Sequence, residues 1–284
     1  MEKIAEILQR VSGTCQASSS YDNEAFETRK AQDYNELEGN LHLQDGYQCE
    51  LCRNKGVIMR PVKINDRYWS TATRDCRCMA VRRTIRNMKR SGLKNIIRDY
   101  TFGKYIASEE WQKKIRSAAE AYARDPDGWF VICGQSGAGK THICTAICRE
   151  FLLSGREVKY MLWRDEVVKL KACVNDTEEY GERIEGYKKA DVLYIDDLFK
   201  TGKDADGCRM KPTAADVNIA FEILNYRYND PSLYTIISSE CTTEDILDID
   251  EAIGGRIYER THGTLFNLKP DKDKNYRIKG SVEL

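Results

Sequence analysis

The chain has 284 residues, 41% hydrophobic and 32% charged, and its 45 basic and 45 acidic side chains cancel to zero net charge. At roughly 150 residues per domain this length suggests about two folded units, with enough apolar material for a sizeable core. No apolar run approaches the roughly 18 residues of a membrane span, and the first residues lack a signal-like stretch, which points to a cytoplasmic protein with no membrane partner.

In chain order, Ile4, Ile7, Leu8 and Val11 fall at helical spacing and predict a short amphipathic helix, too short to stand without a partner surface. Residues 12–45 are polar and aperiodic and read as linker, so 1–45 is taken as helix plus linker. Residues 46–100 are taken as a small N-terminal domain, holding a cysteine-bearing block and then a basic helix, MAVRRTIRNMKRSGL, stopped by Gly92. From residue 101 the pattern alternates. Helices are expected at 111–123, 141–153, 165–190, 213–228 and 244–260, and strands at 128–133, 157–163, 192–195, 233–238 and 264–268. Apolar strands separated by helices predict an α/β fold, a parallel sheet sandwiched by helices.

The zero charge is an average over unlike segments. Residues 1–45 carry four basic against nine acidic side chains, a net of −5, and residues 46–104 carry fifteen against four, a net of +11. A basic block of this kind, with Arg82, Arg83, Arg86, Lys89 and Arg90 on its helix, is either a phosphate-backbone surface or a solvated face that compensates bound thiolates.

Of the 11 cysteines, Cys49, Cys52, Cys76 and Cys78 form a C-x2-C and a C-x-C pair. Four thiolates at short spacing suit tetrahedral Zn²⁺, and the first pair is a standard knuckle turning through Lys55 and Gly56. The second pair is tighter than usual. No strand–helix context supports a redox pair, and free buried thiols sit poorly in so polar a segment. His42 is an alternative ligand by proximity, while Cys133, Cys144 and Cys148 fall on apolar positions and read as core.

Residues 134–141, GQSGAGKT, match G-x-x-x-x-G-K-[ST], preceded by an apolar strand and continued by a helix. Gly134, Gln135, Ser136, Gly137, Ala138, Gly139, Lys140 and Thr141, with His142 next to them, are the expected nucleotide contacts. The loop amides and helix N-terminus would face the phosphates, Lys140 would supply a point charge, and the Thr141 hydroxyl would hold Mg²⁺. Some 55 residues on, VLYIDDLF ends an apolar strand in two carboxylates. Asp196 is the expected magnesium partner and Asp197 the water-orienting carboxylate of an NTPase. LYTIIS ends in Ser238, Ser239 and Glu240, a polar strand tip beside both motifs. Arg256 and Arg260 share a helix face, where they serve either as surface ion pairs or as an arginine finger.

GQSGAGKT, VLYIDDLF, TIISSE and IGGRIYER, in this order and spacing, resemble the AAA+ ATPases of the DnaC/DnaI helicase-loader group. That group includes many phage replication proteins and is similar to the IstB-type transposition helpers. The resemblance spans about residues 95–284, including TFGKY. It implies an AAA+ P-loop fold that binds ATP, Asp197 where many AAA+ proteins carry Glu, a sensor-one role at Ser239, and a trans-acting finger at Arg256 or Arg260. Glu240 departs from the Asn often found after the sensor hydroxyl. The stretch PDKDKNYRIKGSVEL is short for a helical lid, and the resemblance also leads one to expect none. Closure then falls to a neighbouring subunit, so ATP binding should couple to homo-oligomerisation. A zinc module ahead of the ATPase is similar in layout to DnaI, whose N-terminal region binds the replicative helicase. The expectation is an ATP-dependent DNA-replication protein, a Mg²⁺-dependent ATPase that loads a hexameric replicative helicase onto single-stranded DNA. Its rivals are a transposition helper ATPase and a nucleotide-switched DNA-binding adaptor with little turnover.

Overall fold

The polar stretch ahead of the cysteines is not a plain linker. The computed structural model describes residues 23–90, 96–202, 205, 210–269, 271, 275 and 276, so the expected helix over 2–11 and the Gly92 stop lie outside the described residues. Within the expected linker, α1 (Asn23–Glu36) and α2 (Leu41–Asp45) are helical. α1 has no apolar stripe and buries only Glu27 and Ala31. Its place is fixed by Asn35, whose amide donates to the Met59 carbonyl at 2.9 Å and accepts from the Met59 N–H at 3.0 Å. Met59 belongs to β1 (Val57–Ile64), which pairs antiparallel with β2 (Tyr68–Asp75) from Val57↔Asp75 to Ile64↔Tyr68. The hairpin turns through Asn65 and Asp66 at φ of 48° and 53°, a region that short polar side chains tolerate better than others.

The chain divides into two compact units, Met1–Met79 and Ala80–Leu284. The boundary thus lies ahead of the one expected after residue 100. The cause is local: α3 (Cys78–Arg90) carries Thr84, whose hydroxyl donates to the Val158 carbonyl at 2.7 Å, and Arg83, which pairs with Glu157 at 3.3 Å.

In the second unit, α4 (Ile96–Asp99) and a single 3-10 turn at Phe102–Lys104 lead into α5 (Glu110–Arg124), which starts with a capping box between Glu109 and Gln112. β3 (Trp129–Gly134) is wholly buried and runs into the glycine-rich loop, followed by α6 (Lys140–Leu153). β4 (Val158–Leu162) is followed by two helices, α7 (Trp163–Ala172) and α8 (Thr177–Lys188), in place of the single one expected. The break is at Asp176, whose carboxylate caps the Glu179 N–H at 3.0 Å. β5 (Val192–Asp196), α9 (Ala214–Tyr228) and β6 (Tyr234–Ser238) follow. The expected helix at 244–260 is likewise two, α10 (Thr243–Ile249) and α11 (Glu251–Arg260), divided where Asp250 caps the Ile253 N–H at 2.7 Å. β7 (Leu265–Leu268) closes the sheet.

The five strands are parallel in the order β4-β5-β6-β3-β7. Alternate residues of β3 feed two cores. Trp129, Val131 and Cys133 pack with Trp163, Leu170, Ile184, Ile223 and Ile257 from α7, α8, α9 and α11. Phe130 meets Tyr122 of α5 on the other side, and Tyr122 meets Phe151 of α6. This is why the strands read as continuous apolar runs: both faces are covered. It also brings the C-terminal ends of β3, β5 and β6 side by side.

Candidate nucleotide site and cysteine cluster

The loop from Gly134 to Thr141 joins β3 to α6 and is shaped by close approach. Gly134 has φ +95°, and a Cβ there would stand 2.1 Å from the Leu268 carbonyl oxygen, to which the Gln135 N–H donates at 2.9 Å. Gly139, at φ +82°, is the N-cap of α6, so the first turn of the helix presents its unpaired N–H groups to the loop. Lys140 is buried and folded across the loop, its amino group donating to the Gly134 and Gln135 carbonyls at 2.8 Å each. Burial pushes the Lys140 amine below its ordinary range, against the pull of Glu240 and Asp197. Beyond β7 the chain touches the same loop: the Asp271 N–H donates to the Gln135 side chain at 3.2 Å and the Tyr276 N–H to the Gly137 carbonyl at 3.0 Å.

Thr141 and Asp196, far apart in sequence, meet with hydroxyl and carboxylate 3.2 Å apart. Asp196 is the most heavily solicited group of the site. It also accepts from the Tyr160 hydroxyl at 2.9 Å, the Tyr194 hydroxyl at 2.8 Å, and the hydroxyl of Ser238. An oxygen-only donor set of one hydroxyl and one carboxylate suits Mg²⁺, which takes one or two carboxylates and fills its remaining positions with water and phosphate. Asp197 stands just past the strand end at φ +59°, its N–H donating to the Ser238 hydroxyl at 3.1 Å. Its carboxyl is pushed up, first by burial and then by the neighbouring Asp196 and Glu240 charges, with Lys200 opposing. Lys200 Nζ lies 2.7 Å from Asp197 Oδ2 and 3.2 Å from Glu240 Oε1. Although burial works against it, Glu240 is held below the usual carboxylate range by a hydrogen bond with Ser136 and by the Lys200 and Lys140 charges.

Several expected residues sit differently from their assigned roles. The Ser239 hydroxyl, expected to sense the γ-phosphate, is wholly buried, donates to the Leu198 carbonyl at 2.7 Å and accepts from the Cys241 N–H at 3.0 Å. Of the two serines it is Ser238 whose hydroxyl donates to the Asp196 carboxylate, while it accepts from the Asp197 N–H. The His142 ring stacks on Tyr100 with centroids 4.5 Å apart, meets Tyr105 edge-on and hydrogen-bonds the Thr101 carbonyl at 2.9 Å. It fastens the TFGKY stretch to α6. Arg256 lies over the rings of Phe221 and Tyr228, 4.9 Å and 5.4 Å from their centroids, and donates to the Ala252 carbonyl at 2.9 Å. Gly128, at the start of β3, is packed against the Arg260 carbonyl. The phosphate loop leaves the other end of β3, so α11 does not deliver either arginine to the chain's own loop. Sequence reasoning missed Tyr160, Tyr194 and Lys200. The two tyrosines look like ordinary strand residues, and Lys200 like any loop lysine.

In the first unit, Cys49, Cys52, Cys76 and Cys78 converge, their sulfurs all within 4.8 Å of one another. Cys49 and Cys76 sulfurs are 3.8 Å apart and those of Cys52 and Cys78 are 3.5 Å apart. Zinc–sulfur bonds of about 2.3 Å in a tetrahedron set sulfurs about 3.8 Å apart, so the cluster has the size of a tetrathiolate cage. The knuckle turns through Arg53 and Asn54 at positive φ, with the Asn54 side chain accepting from the Cys49 N–H at 2.8 Å. Cys76 follows the end of β2 and Cys78 opens α3, so the tight second spacing is a strand-to-helix turn and not a second knuckle. Burial raises the Cys52 thiol, but the Gly56 N–H and neighbouring sulfurs outweigh it and bring it to about 7, whereas burial keeps the Cys76 thiol above its ordinary range.

Over residues 70–261 the chain matches the family described as IstB-like ATP binding protein. It is 32% identical over 251 residues to the phage-like element PBSX protein XkdC of Bacillus subtilis, covering 82% of this chain and 87% of that one. The uncharacterized protein YqaM of the same organism is 30% identical over 238 residues, or 78% of this chain and 72% of that one. The replicative helicase loader DnaC of Escherichia coli is 30% identical over 129 residues, or 44% of this chain and 51% of its own length.

Proposed function

We propose, from the premise that the chain belongs to the IstB-like ATP binding family of AAA+ ATPases, that it is a Mg²⁺-dependent ATPase that loads a hexameric replicative helicase onto single-stranded DNA. The observation that carries the ATPase half is the meeting of Thr141 with Asp196 at 3.2 Å, beside a loop whose amides and lysine would cradle phosphates. Magnesium, when bound, would neutralise charge between the β- and γ-phosphates. Thr141 and Asp196 would hold it, and the loop amides with Lys140 would grip the phosphates. Asp197 would accept a hydrogen bond from a water and aim its oxygen at the γ-phosphorus. As the new P–O bond forms, the bond to the bridging oxygen breaks, and ADP leaves with that electron pair.

The replication half is supported by the likeness to the helicase loader DnaC, by the likeness to a phage-element protein, and by the basic segment that ends the first unit and begins the second. The first unit, with zinc in its four-cysteine cage, would dock the helicase. The second would assemble with further copies on ATP, each supplying Arg256 or Arg260 to its neighbour, since neither reaches its own site. The IstB-like family description favours one alternative, a transposition helper that binds duplex DNA and a transposase.

One experiment separates these readings. ATP turnover is measured for the wild type, Lys140→Ala and Asp197→Asn, alongside capture of a hexameric replicative helicase by the tagged chain with and without ATP. The proposal expects turnover in the wild type, loss of at least about a hundredfold in both variants, and ATP-sensitive capture. Turnover without any helicase capture would favour the transposition helper. Helicase capture with equal, near-zero turnover in all three would favour a nucleotide-switched adaptor.

A further inference from the structure

Past the end of β5 the chain makes a turn that the phosphate chemistry alone does not call for. Asp197 and Phe199 both have φ of 59°, a region that residues with side chains seldom adopt. The turn is held on every side. Leu198 and Phe199 are wholly buried, the Leu198 N–H donates to the Ser238 carbonyl at 2.9 Å, and Ser239 spends its hydroxyl on the Leu198 carbonyl. Its result is to return Lys200 to the residue it has just left: the Lys200 N–H donates to the Asp197 carbonyl at 2.9 Å, and Nζ reaches Asp197 Oδ2 at 2.7 Å. The same amino group reaches Glu240 Oε1 at 3.2 Å, and Glu240 in turn bonds Ser136 of the phosphate loop.

Three carboxylates, Asp196, Asp197 and Glu240, therefore crowd the strand tips. The other lysine of the site, Lys140, gives its hydrogen bonds to loop carbonyls. With its side chain 31% exposed and those of Asp197 and Glu240 at 20% and 18%, Lys200 is sheltered enough for its charge to count more than that of a surface pair. By taking Oδ2 it leaves Oδ1 as the oxygen to accept a hydrogen bond from water.

We infer that Lys200 is a positioning residue for hydrolysis: it fixes the Asp197 carboxylate with Oδ1 facing the attacking water and links it, through Glu240, to Ser136 of the phosphate loop. This rests on the ATPase reading and adds to it the group that aims the carboxylate.

The test compares kcat and KM for ATP, and the Kd of a fluorescent ATP analogue, in the wild type, Lys200→Met, Lys200→Arg, Glu240→Gln, Asp197→Asn and the double variant Asp197→Asn/Lys200→Met. Lys200→Met is expected to lower kcat about tenfold or more while the analogue Kd stays within about twofold, and Lys200→Arg to recover most of the loss. In the Asp197→Asn background the same Lys200 change is expected to add less than about twofold, because its effect passes through that carboxylate. Glu240→Gln, which keeps Lys200 but loosens its second anchor, is expected to lower kcat by about threefold or more with Kd again unchanged, and decides the matter if Lys200→Met does not fold. A kcat within about twofold of wild type in Lys200→Met, or losses that multiply in the double variant, would overturn the inference while leaving the ATPase reading intact. Absence of turnover in the wild type would overturn the ATPase reading and this inference with it.

Discussion

Asp196 accepts from four hydroxyls, and those hydroxyls come from four different elements: Thr141 from α6, Tyr160 from β4, Tyr194 from β5 and Ser238 from β6. Buried to 3% exposure, the carboxylate has its oxygens met by these donors in place of water, and each donor also fixes one rotation of the group. Both tyrosine hydroxyls are driven far above their ordinary range by burial and by the Asp196 charge, so they act only as donors. Tyr194→Phe keeps the ring and removes one donor. It is expected to cost about 1.5 kcal/mol of folding stability in urea denaturation, the low end for a hydrogen bond to a charged group. The magnesium concentration for half-maximal ATP turnover should rise, because a less restrained carboxylate makes a poorer ligand.

At the scale of elements, what was legible in the sequence tracks how each element is stabilised. The strands β3, β5 and β6 are buried on both faces and spell WFVICG, VLYID and YTIIS, runs that cannot be mistaken. α1 was illegible because no apolar stripe holds it; one Asn side chain pairing with the Met59 backbone does. The β1–β2 hairpin is mostly half-exposed or exposed, so its two-residue alternation is faint. The helix breaks at Asp176 and Asp250 are capping residues inside charged stretches, where they do not stand out from their neighbours. In the site, motif spacing picked out Lys140, Thr141, Asp196 and Asp197, which the fold brings close together. It could not find Lys200, since its role depends on a left-handed turn, nor tell Ser238 from Ser239, which differ only in the direction of a hydroxyl. The cysteine cage joins two element ends, β2 and α3, and its metal content is directly measurable. Protein purified without chelator is expected to carry one zinc per chain by elemental analysis, and Cys52→Ser to lose it along with the thermal stability of the first unit. Zinc-free protein with an unchanged melting profile would sink the tetrathiolate assignment.

For the whole molecule, zero net charge hides a segment of residues 46–104 at +11 between acidic neighbours, and the average says nothing about what the chain can bind. The placing of α11 bears on assembly in the same way. Arg256 is stacked on Phe221 and Tyr228, and Tyr258 is 75% exposed while Ile253 and Ile257 are buried, so this helix leaves one face open and packs the other. If its arginines complete a neighbour's site, inactive chains should rescue one another. Equal mixtures of an Arg256→Ala/Arg260→Ala chain with a Lys140→Ala chain are expected to recover about one quarter of wild-type turnover, the share of interfaces that pair an intact loop with an intact arginine face. No recovery from mixtures shown to co-assemble would rule out a trans arginine.

The contact between Gly134 and the Leu268 carbonyl has a mechanical meaning. A hydrogen atom is all that fits between the first loop residue and the last strand, and the Gln135 N–H is pinned to that same oxygen. Loop and strand are thus coupled stiffly, like two links of a chain with no slack. Any side chain at Gly134 would have to part the loop from β7, the strand at the sheet's edge, beside which no further strand is paired among the described residues.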